Sequence, residues 1–257
     1  MKKIILGLFA IGMIAGACKK SDNPQTAGGG TEGTILTEVR YWTPSKGESS
    51  VKITGITTDG DGKITALEKF STSGELMIKY DGIEKNTAGK IIKISGTSIY
   101  KQNTPIKTEF EYTGDNITKS ITTDGDAITF NTYSYDTSNR LTENASYSSA
   151  NAKKPSSKVV FTYTGTDVNP ASRRTEYTLN GLPVAETTSF KYDDKNNPFL
   201  KASPILYYIN SGDLNTHNVI EAKDSDRTIT FKYEYNKSGY PVSKAFSTDA
   251  GQKFTYK

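Results

Sequence analysis

The sequence contains little of the chemistry from which most active sites are built. Its 257 residues include one cysteine, one histidine and one tryptophan. A single cysteine cannot form an internal disulfide, and no serine lies in the Gly-x-Ser-x-Gly motif of a nucleophile elbow. The sequence therefore indicates no catalytic nucleophile, and we expect no cofactor and no metal site.

Long runs of like charge are also lacking. No run of Lys or Arg exceeds two residues, and the net charge is +4. Without residues 1–17, which hold Lys2 and Lys3 and no acidic residue, 30 basic and 28 acidic residues remain. We expect no nucleic-acid partner, because binding to a phosphate backbone needs a concentrated basic surface.

The longest apolar run lies at the N-terminus. Residues 4–14 are apolar or glycine, and they stand between the basic start Met1-Lys2-Lys3 and the small residues Ala15-Gly16-Ala17. This arrangement is typical of a cleaved signal peptide, and eleven residues are too few for a membrane-spanning helix. The sequence therefore predicts a signal peptide over 1–17.

Cys18 follows the predicted cleavage site directly, where bacterial lipoproteins carry an acylated cysteine. We predict lipid attachment at Cys18, a flexible tether over 18–34 and a single folded domain over 35–257, because residues 19–34 contain one apolar side chain. The membrane, reached through this lipid, is then a partner. Two alternatives stay open: an ordinary secretory cleavage after Ala17 without lipid, and an uncleaved anchor.

Aromatic residues are abundant and regularly spaced. The pattern Phe or Tyr, any residue, Tyr occurs far more often than random placement of 10 Phe and 16 Tyr predicts. Side chains two residues apart share one face of a strand, and here the middle residue is always polar, which is typical of an antiparallel sheet with one buried face. The pairs are Phe110/Tyr112, Tyr133/Tyr135, Phe161/Tyr163, Phe190/Tyr192, Phe231/Tyr233, Tyr233/Tyr235 and Phe254/Tyr256.

Turn-forming residues follow most of these strands, and a return strand follows each turn. The hexapeptide ITTDGD occurs at 56–61 and again at 121–126, which indicates an internal repeat. We therefore predict an all-β chain of repeated hairpins. The predicted turns are Thr113–Asn116, Asp136–Asn139, Thr164–Gly165, Asp193–Asn197 and Asn236–Gly239.

The segment YSYDTSNRL, residues 133–141, resembles the YD repeat, Tyr-x-Tyr-Asp-x-x-Gly-Arg-Leu, with Asn139 in place of Gly. With the N-terminus and the stretch 197–241, it resembles uncharacterised surface lipoproteins of Bacteroidetes-type bacteria. The resemblance covers most of 35–257 and is most specific in the C-terminal third. It implies an antiparallel meander that curls into a partly closed, porin-like barrel or a large curved sheet, an outer-membrane location exposed at the cell surface, and no established activity.

The two-residue period fails between Asn196 and Asn218. Ser203, Pro204 and the apolar residues after them predict one short helix near 204–209, packed over one end of the sheet. Alternation alone also fits a barrel whose aromatic face meets lipid. We expect the aromatic face to be the buried one, because tyrosine hydroxyls are unsuited to the middle of a bilayer and the chain begins as a lipoprotein.

The remaining polar residues suggest chemistry only weakly. His217 is expected to be a loop residue that enters a strand. Two of the acidic pairs supply too few oxygens for calcium, and two others resemble a glycosidase dyad only if the geometry brings them across a cleft. We expect all four pairs to lie in solvated turns: Asp59/Asp61, Asp124/Asp126, Asp193/Asp194 and Asp224/Asp226.

Tyr41 and Trp42 occupy opposite faces of a predicted strand, so one of them is a weak candidate for contact with a ligand such as a glycan. The expected function is a non-catalytic binding or structural module at the cell surface, with a glycan or an envelope protein as partner. The alternatives are a carbohydrate-active hydrolase, which needs two converging carboxylates, and a subunit of an envelope assembly, which needs an apolar patch or an open sheet edge.

Overall fold

The computed structural model describes residues 33–43, 50–149, 152–209, 212–247 and 250–257. The predicted signal peptide, Cys18 and all but the last two residues of the predicted tether lie outside these residues. The described part contains two short helices, α1 (Pro198–Ala202) and α2 (Ile205–Tyr208), and a 3-10 helix at Ile99–Lys101. Its strands are β1 (Leu36–Trp42), β2 (Val51–Thr58), β3 (Ile64–Phe70), β4 (Leu76–Lys85), β5 (Ile91–Ser98), β6 (Thr104–Thr113), β7 (Asn116–Asp124), β8 (Ala127–Tyr135), β9 (Leu141–Tyr147), β10 (Ser157–Thr162), β11 (Ser172–Leu179), β12 (Leu182–Asn196), β13 (His217–Lys223), β14 (Thr228–Thr230), β15 (Lys232–Tyr235), β16 (Pro241–Ser247) and β17 (Ala250–Tyr256).

All 17 strands belong to one antiparallel sheet in which neighbours along the chain pair with each other. Strand β1 pairs with both β2 and β17, so the first and last strands join. Strands β14 and β15 are two parts of one strand interrupted at Phe231, whose N–H donates to Ile220 O at 2.8 Å. The sheet is a nearly closed barrel, and the predicted all-β meander is confirmed.

The aromatic face of each strand points into the barrel. Phe110, Tyr133, Phe254 and Tyr256 are each less than 9% exposed and belong to a single apolar core. The polar residue between the two rings is exposed in every pair, as the two-residue period predicts. These exposed residues are Glu111, Ser134, Thr162, Lys191, Lys232, Glu234 and Thr255.

The outer face of the barrel carries charged side chains that pair across strands. Lys119 Nζ lies 2.8 Å from Glu111 Oε1 on the neighbouring strand, and Lys191 Nζ lies 2.9 Å from Glu221 Oε1. A barrel that crosses a bilayer needs an apolar outer band and a polar lumen, which is the opposite arrangement. Separately, no helix in the described ranges is long and apolar enough to span a membrane.

Because strands alternate in direction, the hairpin turns fall at two ends of the barrel. We call the end where β1 begins and β17 finishes the entry end; Ile35 N–H there donates to Lys257 O at 3.3 Å. The turns at 59–63, 86–90, 114–115, 136–140 and 236–240 also lie at the entry end. The opposite end is called the far end.

A five-residue turn recurs in the barrel. At 136–140, Asp136 Oδ1 accepts the N–H groups of Ser138 and Arg140 at 2.9 and 3.0 Å, and Asn139 has a φ of 59°. The same bonds form around the first residue of the turns at 59–63, 86–90 and 236–240 at the entry end, and at 71–75 at the far end. The fourth residue is Gly or Asn because it adopts a left-handed conformation.

The two copies of ITTDGD form different turns. In the first copy Asp59 begins a five-residue turn whose fourth residue, Gly62, has a φ of 79°. In the second copy Ala127 follows the hexapeptide where the first copy has Gly62, and a residue with a Cβ is disfavoured at positive φ. The second copy therefore closes a two-residue hairpin in which Asp124 pairs with Ala127 and Gly125 has a φ of 61°.

The described residues of the connection between β12 and β13, 197–209 and 212–216, fold inside the barrel and are called the plug. Leu206 is 1% exposed, and Ile209 O accepts from Lys69 Nζ of β3 at 3.2 Å. On the other side, the ring of Tyr208 meets Tyr133 of β8 edge-on with centroids 4.8 Å apart. The predicted helix near 204–209 corresponds to α2, whereas α1, which Asn197 Oδ1 caps through Phe199 N–H at 2.9 Å, was not predicted.

One predicted turn is wrong. The stretch 193–196 continues strand β12, with a register irregularity between Tyr192 and Asn196 against β13. Asp193 does not lie in a solvated turn: its Oδ1 accepts the N–H of Asn218 at 3.1 Å, and its Oδ2 accepts the hydroxyl of Tyr235. These neighbours hold the chain extended where its Asp and Asn residues favour a turn.

Candidate functional site

A cavity of about 780 Å³ opens at the entry end, between the plug and the wall formed by β3 to β11. We call it the mouth cavity. Its volume lies within the range of small-molecule binding sites, roughly 300–1,000 Å³. The plug supplies one side through Ala202 and Ile205, and hairpin ends such as Gly62, Asn116 and Asn139 supply the other.

The floor of the mouth cavity is apolar. Ile64, Ile117 and Leu141 stand at or next to the starts of β3, β7 and β9, and each is at most 6% exposed. They come from three different hairpins and lie together because each of these hairpins returns to the same end of the barrel. Ile205 of the plug faces them and completes an apolar surface below the rim.

The rim of the mouth cavity is basic. Lys63, Lys90 and Arg140 are the fifth residues of the entry-end turns at 59–63, 86–90 and 136–140, and Lys85 and Lys201 complete the set. Among the described residues that line the cavity, Asp115 alone is acidic, and Lys90 Nζ lies 2.7 Å from its Oδ1. This ion pair lowers the pKa of Asp115, so the carboxyl stays ionised, and the positive charge of Lys90 offsets its negative charge.

The five cations of the rim differ in how they are held. Arg140 Nε lies 2.7 Å from Asp136 Oδ2, and one terminal nitrogen donates to Gly165 O at 2.8 Å. Lys85 is close enough to Asp59 to contribute to the lowered pKa of that carboxyl, which mainly reflects the hydrogen bond from Lys63 N–H. Within the described ranges, neither Lys85 nor Lys201 takes part in a salt bridge.

The rings and hydroxyls of two tyrosines in the wall of the mouth cavity already make contacts within the protein. The guanidinium of Arg140 lies 4.5 Å from the ring centre of Tyr163, and Lys90 Nζ lies 5.5 Å from that of Tyr112. Their hydroxyls donate to Leu141 O and Ile91 O at 2.9 and 2.8 Å. Burial raises the pKa of both hydroxyls to about 12, so they remain neutral donors at physiological pH.

A second polar group lies inside the barrel, beyond the mouth cavity. Lys244 Nζ lies 4.4 Å from the ring centre of Phe231 and 5.4 Å from that of Phe246. Burial lowers the pKa of Lys244 and raises that of Asp213, and each charge partly offsets this effect on the other. Asp213 also accepts a hydrogen bond from Asn197, the cap of α1, so this pair helps to hold the plug in place.

The predicted ligand contacts lie at the far end of β1, away from the mouth cavity. The ring of Tyr41 stacks with that of Phe246 at 6.4 Å. Trp42 packs across the neighbouring strand, where a Cβ placed on Gly251 would come within 2.6 Å of its Nε1. Cys18, the predicted lipid attachment site, lies outside the described residues.

The other predicted polar residues are not brought together. His217 begins β13 as expected, with Nδ1 3.2 Å from Lys195 O. Asp224 lies in a solvated far-end turn and accepts from Arg227 N–H at 2.9 Å, whereas Asp193 lies near the entry end. Within the described ranges, no three His, Cys, Asp or Glu side chains form a group that could hold a metal.

Sequence reasoning missed the basic rim because its residues are spread over 140 positions. A signal was nevertheless present: three of the four described five-residue turns at the entry end, DGDGK, NTAGK and DTSNR, end on a basic residue. The fourth, NKSGY, ends on Tyr240, and the far-end turn STSGE ends on Glu75. These basic residues predict a site only when it is known which turns lie at the same end of the barrel.

These features define a porin-like barrel with a plug and an open mouth. A porin-like protein from Bacteroides uniformis ATCC 8492 has a similar structure, with a TM-score of 0.57 and 11% identity over 88% of this chain and 98% of that one. A porin-like protein from Bacteroides vulgatus ATCC 8482 gives a TM-score of 0.38 and 16% identity over 86% and 98%, too low to support an argument. No protein-family model and no curated protein matches the sequence.

Proposed function

We propose that the protein is a non-catalytic binding module of the outer membrane, anchored by lipid at Cys18 and exposed at the cell surface. The observation that carries this proposal is the mouth cavity of about 780 Å³, open at the entry end, with an apolar floor below a basic rim. Concave sites with these features are the usual place for small ligands. The fold shared with a porin-like Bacteroides protein supports an envelope location.

A binding role accounts for the polar groups better than hydrolysis does. A glycosidase needs two carboxyl groups within roughly 5–9.5 Å across a cleft. The carboxyl of Asp115 at the mouth cavity is 97% exposed and is paired with Lys90. In the two pairs considered as dyads, Asp193 is bound by Asn218 and Tyr235, and Asp224 accepts the N–H groups of Asp226 and Arg227 within an exposed turn.

Ligand binding in the mouth cavity is also favoured over a glycan held at Trp42. Stacking on a sugar needs a free aromatic face, and Trp42 already packs against Gly251 on β17. The envelope-subunit alternative needs an open sheet edge or a large apolar patch. The pairing of β1 with β17 leaves the sheet without such an edge at its two terminal strands.

The test uses a chain that begins at Lys19, which cannot be lipidated and contains every strand of the barrel. A neutral, environment-sensitive probe, N-phenyl-1-naphthylamine, is titrated and its fluorescence is measured. We expect saturable binding that the double variant Val168→Phe/Leu214→Phe weakens several-fold, because both residues line the mouth cavity. Leu179→Phe, at an exposed far-end position, is the matched control. Equal binding by both variants, or no binding at all, would contradict the proposal.

Lipid anchoring is tested separately in cells. The full chain should incorporate labelled palmitate, and Cys18→Ser should abolish the incorporation and release the protein from the membrane fraction. Protease added to intact cells should digest the wild-type protein if it faces outwards. Membrane retention of Cys18→Ser without label would overturn the anchoring proposal and leave the binding proposal intact.

A further inference from the structure

We infer that the ligand of the mouth cavity is an anionic amphiphile, a molecule with an apolar body and one negatively charged head group. The inference rests on the proposed function, since it takes the mouth cavity to be a binding site, and it adds the chemical class of the ligand. Three features of the cavity carry it: its floor, the state of its tyrosine rings, and the two rim cations, Lys85 and Lys201, that take part in no salt bridge within the described ranges.

The floor fits an alkyl or other apolar body. Ile64, Ile117 and Leu141 face Ile205 across the cavity and offer no hydrogen-bonding side chain. An apolar ligand group that covers them is removed from water, and this transfer is favourable in proportion to the area buried.

A carbohydrate body fits this wall poorly. Sugar rings bind by stacking on open aromatic faces and by dense hydrogen bonding. The rings of Tyr163 and Tyr112 each carry a cation over one face, at 4.5 and 5.5 Å. The hydroxyls of these tyrosines, and of Tyr135, already donate to backbone carbonyl oxygens at 2.8–2.9 Å. These three tyrosine hydroxyls therefore already have acceptors within the barrel and are not free donors for a sugar.

The rim supplies the site for a negatively charged head group. Lys63, Lys90 and Arg140 are paired with Asp61, Asp115 and Asp136 respectively. Lys85 on β4 and Lys201 on α1 line the same opening, and they take part in no salt bridge within the described ranges. A carboxylate or phosphate bound at the rim would offset its positive charge.

The position of the opening suits a ligand that comes from a membrane. Residue 33 lies at the entry end, where Gly33 O accepts from Asn236 Nδ2 at 3.1 Å. Fourteen residues, 19–32, lie between it and Cys18, so the chain can span at most about 50 Å. A lipid on Cys18 would keep the mouth cavity close to the bilayer, where both free anionic amphiphiles and anionic phospholipids are found.

The experiment compares three fluorescent probes that share one alkyl chain and differ in the head group: a carboxylate, its methyl ester and a trimethylammonium. Binding to the chain from Lys19 is measured by titration at low and high salt. The carboxylate should bind about tenfold more tightly than the ester, and the trimethylammonium probe should bind most weakly. High salt should reduce the difference in affinity between the carboxylate and ester probes, because the rim cations are exposed and therefore screened.

Charge reversal locates the head-group site. The variant Lys85→Glu/Lys201→Glu should lower the ratio of carboxylate affinity to ester affinity from about ten to one or less. The double variant Lys232→Glu/Lys253→Glu, at two exposed positions on the outer face and with the same change in charge, should keep the preference. Circular dichroism and the thermal midpoint verify that the variants are folded.

Binding to vesicles shows whether the head group belongs to a phospholipid or to a free amphiphile. Flotation with phosphatidylglycerol or phosphatidylcholine vesicles is measured for the same proteins. Binding to the anionic vesicles that depends on Lys85 and Lys201 supports the inference with a phospholipid as source; carboxylate binding without vesicle binding supports it with a free amphiphile.

Two results would overturn the inference, and they differ in what they leave standing. Equal affinity for ester and carboxylate, unchanged by charge reversal, would reject the anionic head group while the binding module survives. Failure of all three probes together with failure of N-phenyl-1-naphthylamine would reject the binding module as well.

Discussion

The second tyrosine of the aromatic pair has a role that phenylalanine cannot fill. In six of the seven pairs its hydroxyl donates to a backbone carbonyl oxygen of the neighbouring strand near the entry end, at 2.6–2.9 Å. In the seventh, Tyr235 donates to Asp193. The ring fills the core while the hydroxyl satisfies a carbonyl close to the hairpin turn, so each pair fastens one hairpin to the next.

This role predicts a cost for removing a single oxygen atom. Tyr192→Phe keeps the ring but leaves Pro170 O, now 2.9 Å from the hydroxyl, without its donor. We expect the free energy of unfolding, measured by urea denaturation, to fall by about 1–2 kcal/mol. Tyr147→Phe is the control, since no hydrogen bond of its hydroxyl is found among the described residues. Equal stability of the two variants would show that the hydroxyls are not structural.

The recurring five-residue turn predicts where a methyl group is tolerated. Gly89 has a φ of 77° and no neighbour within 4 Å of a built Cβ, so Gly89→Ala carries a purely conformational penalty. We expect a loss of about 1 kcal/mol in the free energy of unfolding. Gly60→Ala, in the equivalent entry-end turn DGDGK, also meets no neighbour and has no positive φ, and it should be neutral or slightly stabilising. A loss of equal size at Gly60 would contradict this account of the turn.

The plug shows why helices this short exist at all. Helices α1 and α2 have five and four residues, far below the length at which an isolated helix is stable in water. They persist because Ile205 and Leu206 are buried in the barrel core and because Asn197 caps α1. The helices of the plug therefore fold only against the barrel, and the plug fills space inside the barrel that would otherwise be empty.

Truncation of the plug should be costly. Leu206 is 1% exposed, and we expect Leu206→Ala to lower the free energy of unfolding by about 2–5 kcal/mol through lost burial and a residual cavity. Leu179→Ala, at a position that is 55% exposed at the far end, should change it by less than about 0.5 kcal/mol. A small effect at Leu206 would mean that the plug is only loosely docked, and thermal denaturation of both variants measures the difference.

Strands and most turns could be predicted because the information is local. The aromatic period of two marks the inner face, and residues such as Gly239 or Asn139 mark positions of positive φ. The stretch 193–196 could not be predicted, because its Asp and Asn residues favour a turn and contacts with Asn218 and Tyr235, distant in sequence, hold it as a strand. The mouth cavity could not be predicted for the same reason: Lys85 and Lys201 line one cavity only after the barrel has closed.

At the scale of the whole molecule, the barrel is porin-like in fold, but its aromatic side chains point into the lumen and its charged side chains point outwards. The charged pairs of the outer face, such as Lys93 and Glu84 at 2.7 Å, lie in high dielectric and contribute little stability each. They keep the outer surface hydrated, and the burial of aromatic side chains in the lumen stabilises the fold. Stability therefore depends on an interior that contains many neutral tyrosine hydroxyls.

This interior predicts a loss of stability at high pH. Burial raises the pKa of Tyr207, Tyr112 and Tyr163 from 10.0 to about 12, and it raises those of Tyr133, Tyr208 and Tyr233 further. Because these hydroxyls lose their protons more readily in the unfolded chain, unfolding releases protons above pH 10. The stability that they contribute is complete below pH 10 and is lost as the pH rises from 10 through 12.

The measurement is a paired titration of tyrosinate absorbance near 295 nm and of the circular dichroism of the sheet. We expect most tyrosines to ionise together with loss of the sheet, in one cooperative step above pH 10. Tyr208→Phe, which removes the hydroxyl 2.7 Å from that of Tyr135, separates the contributions. Its step should move to higher pH, because one fewer buried hydroxyl then favours the unfolded chain at alkaline pH. Independent ionisation of all the tyrosines near pH 10 with the sheet intact would show that the rings are accessible to water, and the aromatic lumen could not then be what holds the barrel together.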